Sequence, residues 1–415
     1  MESYQLADRI RWCSRTLIPP SNTFQMESNT HEHQCTEEEA ALHACRNRIC
    51  YYEQEITNGR NWEYYKKVVN PYELVYTQKK YHNFPDSLCF LKPLSRSYFK
   101  MIEMLDLIQF FAMFPGENIR VAHVCEGPGG FIEAIFDEAS HKQRSIHNCI
   151  AMTLKSKRTN IPGWRRASYF LQKNKNIKIL FGEDDTGDIM KPENQQYFID
   201  HTTTAEYGGK CHLFTADGGF DFSCDYMKQE QMVFPLLLAS TKIGLEILKP
   251  GGVFILKMFD CYQTSTMDLL YFLSGHFEEW VLYKPNMSRP CNPEHYFIGK
   301  GFTGCSEEEL DMLRLWCSMV ENQQPLDSLF HTKNRDEFNR IIQELRGKSF
   351  RTQTQYLERV FELIKRNDDE LIMNHIQQNE RSSYEWCVRF NVPMYPQRRR
   401  LIEEKQTDQP VSSPR

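Results

Sequence analysis

The chain has 415 residues, 40% of them hydrophobic, enough for two or three domains with real cores. A net charge of -5 and a pI of about 6.3 exclude a globally basic nucleic-acid binder, so any nucleic-acid contact must be local. No apolar run approaches membrane-spanning length, the N-terminus lacks a signal-peptide pattern and the 14 cysteines form no CxxC pair, so an intracellular, soluble protein with reduced thiols is expected.

Residues 1–62 read as a polar accessory region with a helix over about Glu37 to Tyr52. His31, His33, Cys35, His43 and Cys45 cluster there, but their spacing fits no standard zinc pattern and no metal is expected. From Tyr64 onward the text is aromatic and basic. Tyr98, Met101, Ile102, Leu105, Ile108 and Phe111 recur at spacings of three and four, which predicts an amphipathic helix. NIRVAHVCEGPGGF, residues 118–131, comes next. Its apolar run predicts a strand buried on both faces; Gly127, Gly129 and Gly130 permit a tight turn that Pro128 stiffens, and Phe131 to Phe136 opens a helix. In a doubly wound sheet, such a strand-to-helix turn is where nucleotide-like ligands bind.

Apolar runs follow at about 146–153, 176–181, 211–216, 252–259, 277–283 and 295–302. Helical text separates most of them, notably Gln229 to Leu248, which is closed by Lys249-Pro250-Gly251-Gly252. That alternation predicts an α/β fold around a parallel sheet. The last two runs are too close for an intervening helix, so they are expected to form an antiparallel pair at one edge. Residues 305–393 carry three helical stretches, EEELDMLRLWCSMVE, RDEFNRIIQELRG and QTQYLERVFELIKRNDDELIMNHIQ, and residues 394–415 read as a disordered tail.

Lys100, Asp217, Lys257 and Glu294 each fall at the end of a predicted element facing one crevice. Lys257 lies within the apolar run FILKMF, where an unpaired ammonium is expensive to bury, so it needs a partner. Singly, each residue has an ordinary reading: a snorkelling strand-end lysine, a turn aspartate, a solvated helix lysine and a loop carboxylate.

Together, SRxxxK (Ser95, Arg96, Lys100), GPGGF (127–131), DGG (217–219), Lys257 and KPxxSRxxNxE (Lys284 to Glu294) resemble the FtsJ-type RNA 2'-O-methyltransferases over about residues 90–302. FGEDDTGDIM, TADGGFD, GGVFILKMF and LYFLSGHFEEWVLYKP are most similar to the Adrift branch of that family. The resemblance implies a Rossmann-like S-adenosylmethionine-dependent methyltransferase sheet within residues 63–304. It implies methyl transfer to the ribose 2'-hydroxyl of the second or first transcribed nucleotide of capped mRNA. The family tetrad maps to Lys100, Asp217, Lys257 and Glu294. Lys257 would be the general base, its pKa lowered by burial and by Lys100, with Asp217 positioning it and Glu294 completing the network.

For the cofactor, the resemblance assigns Glu126, Gly127, Pro128, Gly129, Gly130 and Phe131 to the methionine end, Thr153 to the ribose, Asp184 or Asp185 to the adenine and Asp217 to the neighbourhood of the methyl. RNA contacts are expected from Arg96, Lys155, Arg158, Lys284 and Arg289, with Lys157, Trp164, Arg165 and Arg166 nearby. The expected partners are the capped mRNA 5' end and, beyond it, other capping enzymes or the transcription machinery, in the nucleus or cytoplasm of a cell or of a virus's host. Two other readings stay open: a ribosomal or transfer RNA 2'-O-methyltransferase, and a catalytically silent RNA-binding module. A nicotinamide dehydrogenase would need GxGxxG and an acidic residue closing the second strand, and CEGPGGF and MTLKSK supply neither.

Overall fold

A computed structural model describes residues 12–16, 35–54, 56, 59–77, 84–156, 163–219, 229–324, 328–329 and 335–407. Among the described residues, the first elements are β1 (Cys13–Ser14), α1 (Glu37–Glu53), α2 (Trp62–Val68), α3 (Ser97–Ile108) and α4 (Phe110–Met113). There follow β2 (Ile119–Val124), α5 (Gly130–His141), β3 (Ile146–Met152), α6 (Ser168–Lys173), β4 (Ile177–Leu180), α7 (Pro192–Thr203) and β5 (Cys211–Ala216). Next are α8 (Gln229–Ile247), β6 (Leu248–Met258), α9 (Thr264–Ser274), β7 (Phe277–Tyr283) and β8 (His295–Phe302). The last helices are α10 (Glu307–Glu321), α11 (Asp336–Arg366), α12 (Asp369–Arg389) and α13 (Pro396–Thr407).

The chain divides into two compact units. The first, residues 1–34, 107–285 and 294–346, holds an eight-stranded sheet in the order β1-β7-β8-β6-β5-β2-β3-β4. Strands β6, β5, β2, β3 and β4 run parallel, and β8 and β7 are antiparallel additions, as the short gap between their apolar runs predicts. The two-residue β1 pairs with β7 and so forms the edge itself. Phe214, Phe254 and Phe297 pack side by side in neighbouring strands on one face of the sheet, the first pair tilted and the second edge-on, with centroids 5.2 and 6.3 Å apart. All three are fully buried, which is worth roughly 2–3 kcal/mol per ring in transfer free energy. Because side chains alternate along a strand, that aromatic row leaves the opposite face at the strand ends for polar chemistry.

The second unit, residues 35–106, 286–293 and 347–415, is helical. Trp62, Tyr64, Tyr65, Phe99, Phe361 and Trp386 are buried in it. Buried glutamates organise polar contacts there. Glu103 accepts from Asn286 N, Met287 N and Trp386 Nε1 at 2.7–3.0 Å.

Two expectations about the C-terminal part are corrected. The stretches on either side of Gly347 form one helix, α11, because Phe350, Leu357, Phe361 and Ile364 carry the buried helical spacing onward. The break comes at Asn367, with φ +43°, after which Asp368 caps α12 by accepting from Glu370 N at 2.9 Å and Leu371 N at 3.2 Å. The tail read as disordered carries α13, anchored by buried Ile402 and by Tyr384 donating to Glu403 at 2.9 Å.

His123 on β2 is fully buried, with Nδ1 2.7 Å from Thr215 Oγ1 and no partner for Nε2 among the described residues. Burial lowers its pKa to about 3, against 6.5 for a free imidazole. The unfolded chain takes up this proton below pH 6.5 and the folded chain does not until about pH 3, so stability falls as pH drops through that window. The loss is about 1–2 kcal/mol per pH unit. Urea midpoints are therefore expected to fall as pH is lowered from 7 to 4, and His123→Gln, which keeps a polar partner for Thr215 without titrating, should flatten the decline. Equal slopes for the two proteins would contradict this.

Candidate active site

Four adjacent strands deliver one row of side chains. In register, Lys257 of β6 pairs with Tyr296 of β8, Leu256 with Ala216 of β5, and Ala216 with Val124 of β2. Asp217 therefore leaves β5 beside Lys257, Glu294 lies two residues before Tyr296 on the same face, and Cys125 leaves β2 beside Asp217.

The outcome is a cation between two carboxylates. Lys257 Nζ lies 3.5 Å from Asp217 Oδ1 and 3.6 Å from Glu294 Oε2, with all three side chains at most 16% exposed. Tyr296 donates its hydroxyl to Asp217 Oδ1 at 2.9 Å. Burial pulls the Lys257 ammonium down, but the charges of Asp217 and Glu294 outweigh it and the net shift is upward. This corrects the expectation of a lowered pKa. Two carboxylates face the amine, and together their charges exceed the cost of burying it.

The glycine turn follows β2. Gly129, at φ +103°, is the residue before α5 and donates to Glu126 O at 2.7 Å. The Glu126 side chain turns back so that Oε1 accepts from Phe131 N at 2.7 Å, using one of the open donors in the first turn of α5. Oε2 is buried with no partner among the described residues. Burial, and then the charge of Asp217, raise the Glu126 pKa well above the usual carboxylate range.

Thr153, just past β3, is buried, and its carbonyl backs onto the loop after β4, where Lys155 N donates to Thr186 O at 2.7 Å. Asp184 is the hub of that loop. Its Oδ1 accepts from Thr186 N, Thr186 Oγ1 and Asn194 Nδ2 at 2.7–3.0 Å, and Oδ2 pairs with Lys191. The Lys191 contact, with the loop donors, holds the carboxyl well below its usual range. Asp185, at φ +60°, is exposed and pairs with Lys155 at 2.6 Å.

The expected RNA contacts separate into groups. Arg165 and Arg166 are exposed on a short turn with Trp164, whereas Lys157 and Arg158 lie outside the described residues. Lys284 Nζ donates to Glu294 O at 3.0 Å. In the second unit, Arg96 and Arg289 both pair with buried Glu73, at 3.2 and 3.3 Å, and Arg96 also donates to Tyr76 O at 2.7 Å and Met287 O at 3.1 Å. Burial raises the Glu73 pKa, but Arg96, Arg289 and Lys67 outweigh it and hold the carboxyl low. These two arginines brace the 286–293 loop. Sequence reasoning missed Glu73 and Tyr296; pairing β8 against β6 residue by residue would have found Tyr296.

The model of the FtsJ-like methyltransferase family matches residues 93–302, just over half of the chain. The chain belongs to that family. Among curated relatives, cap-specific mRNA (nucleoside-2'-O-)-methyltransferase 1 of Danio rerio is 32% identical over 189 residues, 45% of this chain and 22% of that protein. The cap-specific mRNA (nucleoside-2'-O-)-methyltransferase of Autographa californica nuclear polyhedrosis virus is 38% identical over 128 residues, 31% of this chain and 47% of that protein. The enzyme 1 of Dictyostelium discoideum is 30% identical over 243 residues, 55% of this chain and 32% of that protein. The match thus spans between about a fifth and a half of these relatives' lengths.

The methyl donor of FtsJ-like methyltransferases is S-adenosylmethionine, and the turn after β2 fits it. A buried carboxylate oxygen without a donor suits an α-ammonium, and a turn with Gly129 at positive φ lets a ligand approach the main chain.

The loop geometry is testable at Gly187. It sits at φ +68°, and a Cβ there would fall 2.0 Å from Thr153 O. Gly187→Ala is expected to cost at least about 2 kcal/mol in urea denaturation and to weaken S-adenosylmethionine binding in calorimetry. Unchanged stability and affinity would contradict the described packing of Thr153 on this loop.

Proposed function

We propose that this chain methylates the ribose 2'-hydroxyl of the first or second transcribed nucleotide of capped mRNA, with Lys257 taking the hydroxyl proton. The observation that carries the reading is the Lys257 amine fixed 3.5 and 3.6 Å from two carboxylates at the strand ends next to the glycine turn. S-adenosylmethionine, when bound, supplies an electrophilic methyl on a sulfonium sulfur. Asp217 and Glu294 orient Lys257 Nζ, and Tyr296 orients Asp217 in turn. Glu126 is assigned to the α-ammonium of the cofactor, Thr153 to its ribose and the exposed Asp185, rather than the saturated Asp184, to its adenine. Lys100 is assigned the fourth tetrad place, and Lys155, Arg165 and Arg166 the RNA backbone. Holding oxygen, methyl and sulfur in line supplies much of the acceleration.

Cap specificity is favoured over ribosomal or transfer RNA by the relatives, which are cap-specific mRNA enzymes of a fish, an amoeba and a virus. It implies work where mRNA is capped, in a nucleus or a virus's host cell, alongside other capping enzymes.

Because Asp217 and Glu294 hold Lys257 protonated, its neutral fraction near pH 7 is small and grows with pH. The logarithm of kcat is therefore expected to rise with a slope of about one across neutral and mildly alkaline pH. Glu294→Gln removes one of the two charges and should move that rise to lower pH. Lys257→Ala should lower kcat by about 10²–10⁴-fold, the usual worth of a positioned proton acceptor, with S-adenosylmethionine binding retained. A flat profile, or near-native turnover in Lys257→Ala, would overturn the assignment of Lys257 as base.

A further inference from the structure

Three metal-binding side chains meet at the other end of the sheet. Glu294 precedes β8 and Cys305 follows it, so the eight-residue strand places them about 25 Å apart. His276 lies in the turn between α9 and β7, Cys305 just beyond β8, and Glu309 in the first turn of α10. Their ligand atoms all lie within 4.8 Å of one another, with His276 buried and the other two partly so.

Hydrogen bonding aims the imidazole and the carboxylate. His276 Nδ1 is 2.8 Å from Phe272 O. A carbonyl only accepts, so Nδ1 carries the hydrogen and Nε2 of the neutral ring presents a lone pair, the arrangement that orients metal-ligating histidines. Ser306 N and Oγ donate to Glu309 Oε2 at 2.8 Å each, which turns Oε1 toward His276 Nε2 at 3.4 Å. Two acceptors at that distance need a cation between them, either a proton or a metal. A tetrahedral zinc with bonds of about 2.0–2.1 Å has ligand atoms about 3.4 Å apart along each edge.

We propose that His276 Nε2, Cys305 Sγ and Glu309 Oε1 bind one zinc ion, with water at the fourth position, and that the ion ties the start of α10 to the ends of β7 and β8. One soft thiolate, one imidazole and one carboxylate form a zinc-type set rather than a calcium- or magnesium-type one. Binding releases the thiol proton to solvent as the zinc–sulfur bond forms, and no electron is transferred. The sequence hid this set because His276 and Cys305 stand 29 positions apart, on elements brought together by β7–β8 pairing.

The full chain, stripped with a chelator, is titrated with Co²⁺ and then Zn²⁺. The expected result is one ion per chain, a thiolate-to-cobalt charge-transfer band in the near ultraviolet and a Tm raised by Zn²⁺. Cys305→Ser, nearly isosteric, and His276→Gln should each remove the band and weaken Zn²⁺ binding at least tenfold, while circular dichroism shows the fold kept. No bound ion would make the contact an imidazolium–carboxylate ion pair and overturn the proposal. An ion held equally well by the wild type and by both variants would place it elsewhere and overturn it too.

Discussion

An ammonium held between two carboxylates at the ends of three neighbouring strands is the constraint on which the rest of the site depends. Lys257 can tolerate its mostly buried place only because Asp217 and Glu294 stand at 3.5 and 3.6 Å, and breaking one partner of such a group leaves an uncompensated charge. The sheet supplies the placement. Parallel pairing of β5 with β6 and antiparallel pairing of β6 with β8 bring residues 217, 257 and 294 together with no loop needed to reach across. The alternation that puts Phe214, Phe254 and Phe297 into the core on one face puts Asp217, Lys257 and Tyr296 on the other.

That environment sets the chemistry. A lysine paired with two carboxylates is a well-oriented cation and an acceptor only after it gives up its proton, so orientation and proton affinity oppose each other here. The neighbouring Glu126 shows the opposite balance: buried beside the charge of Asp217, it favours the neutral acid, and a bound ammonium would draw that proton away.

Much of this was legible in the sequence. Continuous apolar runs marked the parallel strands, the closeness of residues 277–283 and 295–302 marked the antiparallel pair, and Lys257 inside FILKMF demanded a partner. Other features were not legible, because they depend on pairings across long stretches of chain. The fate of Arg96 and Arg289 is decided by Glu73, a buried carboxylate 23 and 216 residues away from them. Asp184 and Asp185 look equivalent in DDTGD, and the loop fold saturates one with donors and leaves the other paired with Lys155. The direction of the Lys257 shift required knowing that two carboxylates, not one, reach the amine. Helix continuity through Gly347 was set by buried side chains on both sides of it, which outweigh one glycine's propensity cost of about 1 kcal/mol.

Methyl transfer from labelled S-adenosylmethionine to short RNAs, followed by nuclease mapping, tests the central claim most directly. The substrates would carry no cap, a cap with an unmethylated first ribose, or a cap with that ribose already methylated. Label on the ribose of the first or second nucleotide of the capped RNAs, absent with Lys257→Ala, is the predicted result. Label on uncapped RNA alone, or none on any substrate despite cofactor binding, would contradict it.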